Sequence, residues 1–307
     1  MVNSVFRPPS PLAFVLHRLF RRTVASAALT RTGKTLDLNT ITEIATPRLR
    51  SELGAWRAGD AWLGGGTWLF SEPQPHLSRL IDLAGLGWPA LRLGDSGLEI
   101  AATCRIAELD ALALPPAWTA APLINQCCRA FLASFKIWNA ATVGGNICMA
   151  LPAGPMISLA VALHGRCVIW TPQGAERRVA ITDFVTGPQR NALDPGEVLR
   201  AIELPAAALT RRTAFRQISL TPLGRSAALL IGTRAPSDGG FELTVTAATA
   251  RPLRITFAAL PTAQQLAQRI DAEIADELWF SDPHGAPAWR RHMSLQFAEQ
   301  IRFELSA

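Results

Sequence analysis

Short apolar runs separated by turn residues dominate the first part of this chain and predict strands rather than helices. The first predicted strands are residues 41–45, 61–63 and 77–83. A helix is predicted at residues 47–53, because Pro47 fits the first turn of a helix. Together these elements predict a small β-α-β lobe that ends near residue 88.

A second group of elements reaches about residue 208. Residues 91–93 and 98–104 flank Gly94-Asp95-Ser96-Gly97, which has the composition of a hairpin turn. The further predicted elements are helices at 106–112, 120–131 and 156–163 and strands at 167–170, 179–181 and 197–204.

The C-terminal residues show alternation first and helical spacing afterwards. Residues 241–247 and 254–257 alternate, which predicts antiparallel strands with one face in water. Amphipathic helices are predicted at 262–275 and 288–305. The predicted fold class is therefore α+β, with an extension at 1–36, lobes at 37–88 and 89–208, and a small C-terminal subdomain of antiparallel sheet and helices at 209–307.

Composition limits the classes of protein to consider. With 49% hydrophobic and 18% charged residues in a chain of 307, a folded protein with a substantial core is expected. No apolar stretch reaches the length of about 18 residues that spans a bilayer, so no membrane span is predicted. The first 35 residues hold six basic residues and no acid; without them the 30 Lys and Arg become 24, equal to the 24 Asp and Glu. The neutral remainder gives no indication of nucleic-acid binding.

The basic N-terminal segment has two interpretations. Its Arg, Ser and Thr content without acids is typical of an organelle transit peptide. A disordered extension, or a start codon assigned too far upstream, fits the same residues, and we predict a disordered extension.

The cysteines and histidines form no disulfide or metal pattern. The five cysteines are an odd number without a C-x-x-C pair, which indicates a reducing compartment and predicts a cytoplasmic protein with buried free thiols. Ferredoxin-like spacing is absent and the five histidines are scattered, so neither an iron–sulfur cluster nor another metal site is predicted in this chain.

Adjacent glycines occur in two segments that are both predicted to be loops after strands. The first glycine segment is Gly64-Gly65-Gly66-Thr67-Trp68, and the second is Thr142-Val143-Gly144-Gly145-Asn146. Glycine lacks a Cβ, so its backbone N–H groups can approach the phosphates of a ligand closely. Neither segment contains Lys or Arg, which favours a nest of amides over an ion-pair site. Two such segments predict a diphosphate held between two lobes, although either one alone fits a structural turn equally well.

The residues around both segments resemble a known family, the FAD-binding medium subunit of the xanthine dehydrogenase and carbon monoxide dehydrogenase group of molybdenum hydroxylases. The motifs that carry the resemblance, in order, are 64–68, 134–147 with Pro152-Ala153, 183–187, 196–205, 214–217 and 282–292. The resemblance runs from about residue 37 to the end. It implies a two-lobed PCMH-type FAD-binding domain at 37–208, followed by a C-terminal flavoprotein subdomain at 209–307.

The resemblance also implies which residues bind FAD. They are Gly64, Gly65, Gly66, Thr67, Trp68, Thr142, Gly144, Gly145, Asn146, Leu199 and Arg216. The glycine segments would hold the pyrophosphate, Leu199 would pack on the flavin, and Arg216 would lie near it, where a positive charge stabilises the reduced ring. A core position for Leu199 and a solvated one for Arg216 are the ordinary alternatives.

One departure from the family concerns the flavin end of the site. Family members commonly carry an Asp after the proline–alanine stretch that follows the second glycine segment. Here that stretch reads Pro152-Ala153-Gly154-Pro155-Met156 and contains no acid, and the whole chain contains no Tyr. FAD binding is expected to survive, while the electron acceptor is left open.

The implied function is that of an FAD-carrying electron-transfer subunit of a molybdenum-containing hydroxylase. Electrons would come from [2Fe–2S] clusters and a molybdopterin-binding large subunit, both in partner chains, and pass to NAD+ or another acceptor. No catalytic acid or base is expected in this chain, because the cofactor carries the chemistry. The alternatives are a free-standing FAD-dependent oxidase of the vanillyl-alcohol-oxidase type, and a flavin-free assembly subunit.

Overall fold

The first sheet is small and parallel. The structure, a computed structural model, describes residues 38–237 and 239–307, and the predicted extension at 1–36 lies outside them. Strands β1 (Glu43–Ala45), β2 (Asp60–Leu63) and β3 (Arg79–Asp82) form the sheet with β3 in the centre. Because the strands are parallel, the carboxyl ends of β2 and β3 share one edge, and the first glycine segment begins there.

The helix predicted at 47–53 is wrong. Leu49 is extended, with φ −126° and ψ 153°, so the residues that remain before Gly54 form only one 3-10 turn, Arg50–Glu52. A second 3-10 turn, Leu83–Leu86, follows β3, and the carboxylate of Asp82 accepts a hydrogen bond from the Ala84 N–H at its start.

A five-stranded antiparallel sheet follows, with the order β4-β5-β10-β6-β7. The strands of this region are β4 (Leu91–Gly94), β5 (Gly97–Ala101), β6 (Arg166–Trp170), β7 (Glu176–Ala180), β8 (Val185–Gly187), β9 (Arg190–Asn191) and β10 (Val198–Pro205). The predicted hairpin is confirmed as β4 and β5, and β8 pairs with β9 as a separate two-stranded ribbon.

Short helices cover the inner face of this sheet. They are α1 (Ile106–Asp110), α2 (Ala121–Ala130), α3 (Phe135–Trp138), α4 (Val143–Cys148), α5 (Pro155–Ala162), α6 (Ile181–Phe184) and α7 (Ala206–Leu209). Their apolar residues share one core with alternate residues of β5, β6 and β10.

The C-terminal residues form a four-stranded antiparallel sheet in chain order, packed against two helices. Its elements are β11 (Arg212–Ile218), β12 (Ala228–Arg234), β13 (Phe241–Thr246), β14 (Leu253–Phe257), α8 (Ala263–Glu273), a 3-10 turn at Asp276–Leu278, and α9 (Pro287–Glu304). Both predicted helices are confirmed, and α8 starts at a capping box of Thr262 and Gln265. No helix within the described ranges is long and apolar enough to cross a membrane.

Helix α5 lies between the two cores and is buried along its whole length. It packs on α2 and α4 and also on β12 and β13. The hydroxyls of Ser158 in α5 and Thr246 in β13 lie 2.7 Å apart. The expectation that the C-terminal strands have one wet face is wrong for β13, all of whose residues are buried, because α5 covers one face of the sheet and the C-terminal helices cover the other.

Candidate functional site

The first glycine segment forms a tight turn directly after β2. Gly66 has φ +69°, in the left-handed region that favours glycine. A Cβ on Gly66 would lie 2.3 Å from the ring of Phe70, whose N–H donates to the Gly66 carbonyl at 2.9 Å. The dihedral angle of this turn therefore favours glycine at position 66.

The backbone N–H groups of this segment have no acceptor among residues 38–237 and 239–307. This holds for all five residues from Gly64 to Trp68. Backbone donors left without a partner are costly unless water or a ligand satisfies them. A run of such donors without a Cβ on its glycines fits a diphosphate, whose oxygens accept many hydrogen bonds. The first glycine segment therefore fits the phosphate-binding role predicted for it.

The second glycine segment is different, and the prediction of a loop there is wrong. Thr142 is the N-cap of α4, and its hydroxyl accepts the Gly145 N–H at 3.1 Å. The Val143 N–H donates to the Cys104 carbonyl at 2.8 Å and the Gly144 N–H to the Ala102 carbonyl at 2.9 Å. The capping hydroxyl and these two carbonyls start the helix, and they satisfy the N–H groups of its first turn.

The two glycine segments touch, and their glycines permit the contact. A Cβ on Gly65 would lie 1.9 Å from the carbonyl oxygen of Ala140, and one on Gly64 would lie 2.9 Å from the hydroxyl of Thr142. Gly144 lies against the backbone of Ala102, because a Cβ on Gly144 would be 2.6 Å from the Ala102 carbonyl oxygen. Close approach of backbones is therefore a second reason for these glycines.

Asn146 links α4 to α5. Its side-chain oxygen accepts the Met156 N–H at 3.1 Å, and its amide NH2 has no acceptor among the described residues. The half-buried NH2 therefore supplies one more donor near the segments. Pro155 and Met156, which stand where the family carries its Asp, are both buried.

Leu199 lies in the core, as the ordinary alternative for an apolar strand residue has it. It is 2% exposed and pairs with Ile169 across β10 and β6. The register shifts between Leu199 and Ala201, which marks a bulge at Arg200. The bulge puts Leu199 on the core side together with Ile202, although residues three positions apart in a regular strand point to opposite faces.

Arg216 is held by the last helix. Its guanidinium pairs with the Glu304 carboxylate at 2.7 Å and donates to Gln300 at 3.0 Å. No hydrogen bond or ion pair between Arg216 and either glycine segment occurs in the part of the chain that the structure describes. The structure thus brings the two glycine segments together and does not bring Arg216 to them.

The sequence interpretation missed the partners of the glycines. Ala102 and Ala140 take part through their carbonyls, which no side-chain pattern marks. Trp62 was noted only as part of a strand, yet its indole N–H donates to the Glu197 carbonyl at 2.8 Å. A large aromatic residue two positions before a glycine run was the one available signal.

The thiols of two core cysteines, Cys104 and Cys128, are not activated as nucleophiles. Burial raises the pKa of the Cys104 and Cys128 thiols to about 12, so both are neutral at pH 7. Within the described ranges, no group of three or more His, Cys, Asp or Glu is placed to hold a metal ion.

A family model described as "FAD binding domain in molybdopterin dehydrogenase" matches residues 38–207, which include both glycine segments and Leu199. The chain belongs to this family. The predicted family, the α+β fold class and FAD as the cofactor are thereby confirmed. Asp183 and its neighbours also fall within the matched range, whereas Arg216 lies beyond it.

Curated relatives resemble parts of this FAD-binding chain. The carbon monoxide dehydrogenase medium chain of Hydrogenophaga pseudoflava is 25% identical over 150 residues, which are 48% of this chain and 50% of the relative. Caffeine dehydrogenase subunit beta of Pseudomonas sp. (strain CBB1) is 29% identical over 98 residues, 32% of this chain and 33% of the relative. Xanthine dehydrogenase 1 of Arabidopsis thaliana is 29% identical over 122 residues, 38% of this chain and 9% of the relative. The chain thus spans half or less of the curated relatives it matches.

Solved structures share the fold over most of the chain. Carbon monoxide dehydrogenase from Hydrogenophaga pseudoflava superposes with a TM-score of 0.71 at 21% identity, covering 85% of this chain and 96% of the other. Quinoline 2-oxidoreductase from Pseudomonas putida 86 gives a TM-score of 0.70 at 18% identity, covering 86% and 96%. The likeness extends past residue 207, so it includes part of the C-terminal sheet and helices.

Proposed function

We propose that this chain is the FAD-carrying electron-transfer subunit of a molybdenum-containing hydroxylase. Substrate is oxidised in a molybdopterin-binding partner, and electrons arrive through [2Fe–2S] clusters in a partner subunit or domain. They leave to NAD+ or another acceptor. The relatives named as a medium chain and a subunit beta support a role as one subunit among several.

The observation that carries the proposal is the run of unpartnered N–H groups from Gly64 to Trp68. These donors bind the pyrophosphate oxygens, and the contact with Thr142 and Ala140 holds them in place. Bound FAD supplies reversible electron transfer, which amino-acid side chains do not provide. The chain itself binds and orients the cofactor.

The remaining parts of the proposal concern the surroundings of the protein. The neutral, buried cysteines support a reducing, cytoplasmic location. The missing acid at Pro155 leaves NAD+ as one acceptor among several.

Titration of the purified chain with FAD tests the proposal. We expect about one FAD per chain, and much weaker binding of FMN, which has the flavin but not the pyrophosphate. Flavin fluorescence measures both. A chain that binds neither would contradict the proposal and support an assembly subunit. Turnover of a small substrate by the isolated chain would instead support a free-standing oxidase.

A further inference from the structure

A hydrogen bond joins the strand before the first glycine segment to the residue that precedes β10. The indole N–H of Trp62, in β2, donates to the carbonyl oxygen of Glu197 at 2.8 Å. Glu197 immediately precedes β10 in the five-stranded sheet. This bond therefore connects two different sheets, and each end lies two residues from a residue predicted to contact FAD.

The acceptor end of the bond is rigid. The side chain of Glu197 is 6% exposed, and its carboxylate accepts hydrogen bonds from Arg177 Nε at 2.7 Å and from the Asp194 N–H at 2.9 Å. The hydrogen bond from Arg177 lowers the pKa of Glu197, so the pair stays ionised at neutral pH. A carboxylate held in this way fixes its own backbone carbonyl as well.

The donor end is supported by packing. The ring of Trp56 lies 4.9 Å from the ring of Trp62 at an interplanar angle of 39°. Gly196, with φ +82°, lies against Trp56, since a Cβ there would be 2.9 Å from Trp56 Cβ. The turn that presents the Glu197 carbonyl therefore also holds the aromatic neighbour of Trp62.

We infer that Trp62 is a positioning residue for FAD, which holds the N–H groups that begin at Gly64 in place against the five-stranded sheet. The inference rests on the proposed function. A cofactor held by several N–H groups needs all of them in position, because a hydrogen bond weakens when its distance or angle is poor. Trp62 acts through its indole N–H on the Glu197 carbonyl and through its own backbone on the residues that follow it.

Trp62→Phe tests the inference, because it keeps an aromatic ring and removes only the indole N–H and part of the surface. The matched control is Trp170→Phe. Trp170 donates its indole N–H to Glu176 at 3.1 Å, packs edge-on against Trp88 at 5.3 Å and lies 4.5 Å from the guanidinium of Arg50. Each variant loses one indole hydrogen bond beside one aromatic pair.

We expect Trp62→Phe to bind FAD about tenfold more weakly, and Trp170→Phe to stay within about twofold of the unmodified chain. The visible circular dichroism of bound FAD should change in Trp62→Phe alone, since that signal reports the orientation of the flavin rather than stability. As a second variant, Trp56→Leu keeps the hydrogen bond but removes its support, and should weaken binding about threefold.

Unchanged affinity and dichroism in Trp62→Phe would overturn the inference. Equal losses in Trp62→Phe and Trp170→Phe, in proportion to their melting temperatures, would also overturn it, because they would show a purely structural effect. If Trp62→Phe does not fold, Trp56→Leu decides by the same readouts. An unmodified chain that binds no FAD contradicts the proposed function instead, so the two failures are distinguishable.

Discussion

The two glycine segments both combine adjacent glycines with a threonine, and they have opposite hydrogen-bond states. From Gly64 to Trp68 the N–H groups have no acceptor in the described residues, whereas Val143 and Gly144 donate to backbone carbonyls and Gly145 donates to the hydroxyl of Thr142. The first segment is a left-handed turn at the end of a strand, and the second is the capped start of a helix. Glycine runs therefore do not by themselves indicate free donors, because the cap decides whether those donors are already satisfied.

From this comparison we predict that the first segment binds FAD through its backbone and that Gly144 in the second segment supports the fold. Removal of a glycine from the first should act on FAD affinity, and removal of Gly144 should act on the free energy of unfolding. The following variants test whether the two segments differ in this way, and they are ordered from the largest expected effect to the smallest.

Gly65→Ala should reduce FAD affinity by about a hundredfold or more, because the new Cβ would lie 1.9 Å from the Ala140 carbonyl oxygen and push the segments apart. Fluorescence titration with FAD measures this. The control is Gly94→Ala, where a Cβ meets open space, and it should bind normally. Equal affinity in both variants would show that the contact between the segments is irrelevant to binding.

Asp60→Asn should make the free energy of unfolding depend less on pH in the acid range. The hydrogen bond from Arg79 lowers the pKa of Asp60, so this carboxylate stabilises the fold above its ordinary pKa of about 3.9 and loses that contribution as the pH falls through the folded value. Removing the charge of this buried group should cost about 3 kcal/mol at pH 7 and flatten the acid limb of the stability curve. Urea unfolding at several pH values measures both. An unchanged slope would exclude Asp60 as the titrating group.

Gly144→Ala and Gly145→Ala should differ although the two residues are adjacent. A Cβ on Gly144 meets the Ala102 backbone at 2.6 Å, and we expect a loss of about 2 kcal/mol in the free energy of unfolding. A Cβ on Gly145 meets only the Thr142 hydroxyl at 2.9 Å, and the helix propensity of Ala offsets that contact to within about 1 kcal/mol. Gly145 is exposed, and the family resemblance predicts that it contacts the pyrophosphate, so its variant should lose FAD affinity without losing stability. A Gly144→Ala variant that loses FAD affinity but not stability, together with a Gly145→Ala variant that loses stability, would contradict this assignment.

Of these variants, Arg216→Gln should change FAD affinity and stability the least. Its partners Glu304 and Gln300 lie on the last helix, and a partly exposed ion pair contributes about 0–1 kcal/mol. We expect FAD affinity within about twofold of the unmodified chain. The flavin reduction potential is the sensitive readout, and a clear fall in potential would support the position beside the flavin that the family resemblance implies for Arg216.

Much of the fold could be predicted from the sequence, since the β4–β5 hairpin and both C-terminal helices have strong local signals. Strands β11 and β12 were missed. β11 is rich in polar residues such as Arg216 and Gln217, and β12 is a short apolar run whose period does not distinguish strand from helix. Prediction from the sequence has a second limit at Leu49. Its extended backbone prevents the helix that was predicted at residues 47–53.

The sequence identified the glycines of the candidate site but not the residues that pack against them. The contact between Gly65 and Ala140 joins residues far apart in the chain through a carbonyl, which leaves no mark in a residue pattern. Thr142 was noted as a possible phosphate ligand, while its hydroxyl caps a helix. Side-chain type alone does not distinguish these two uses, because both need a hydroxyl beside glycines.

The buried helix α5 connects the FAD-binding region to the C-terminal sheet. It belongs to the family-matched range, yet Ser158 pairs with Thr246 and the Pro152 carbonyl accepts the Ala247 N–H at 2.8 Å, both from the C-terminal sheet. A fragment cut after residue 208 would expose an apolar flank of α5 to water and leave the Ser158 hydroxyl without this partner. The FAD-binding region and the C-terminal sheet thus share the surface of α5, and we expect a shortened version of this flavoprotein to need a redesigned α5 to remain soluble.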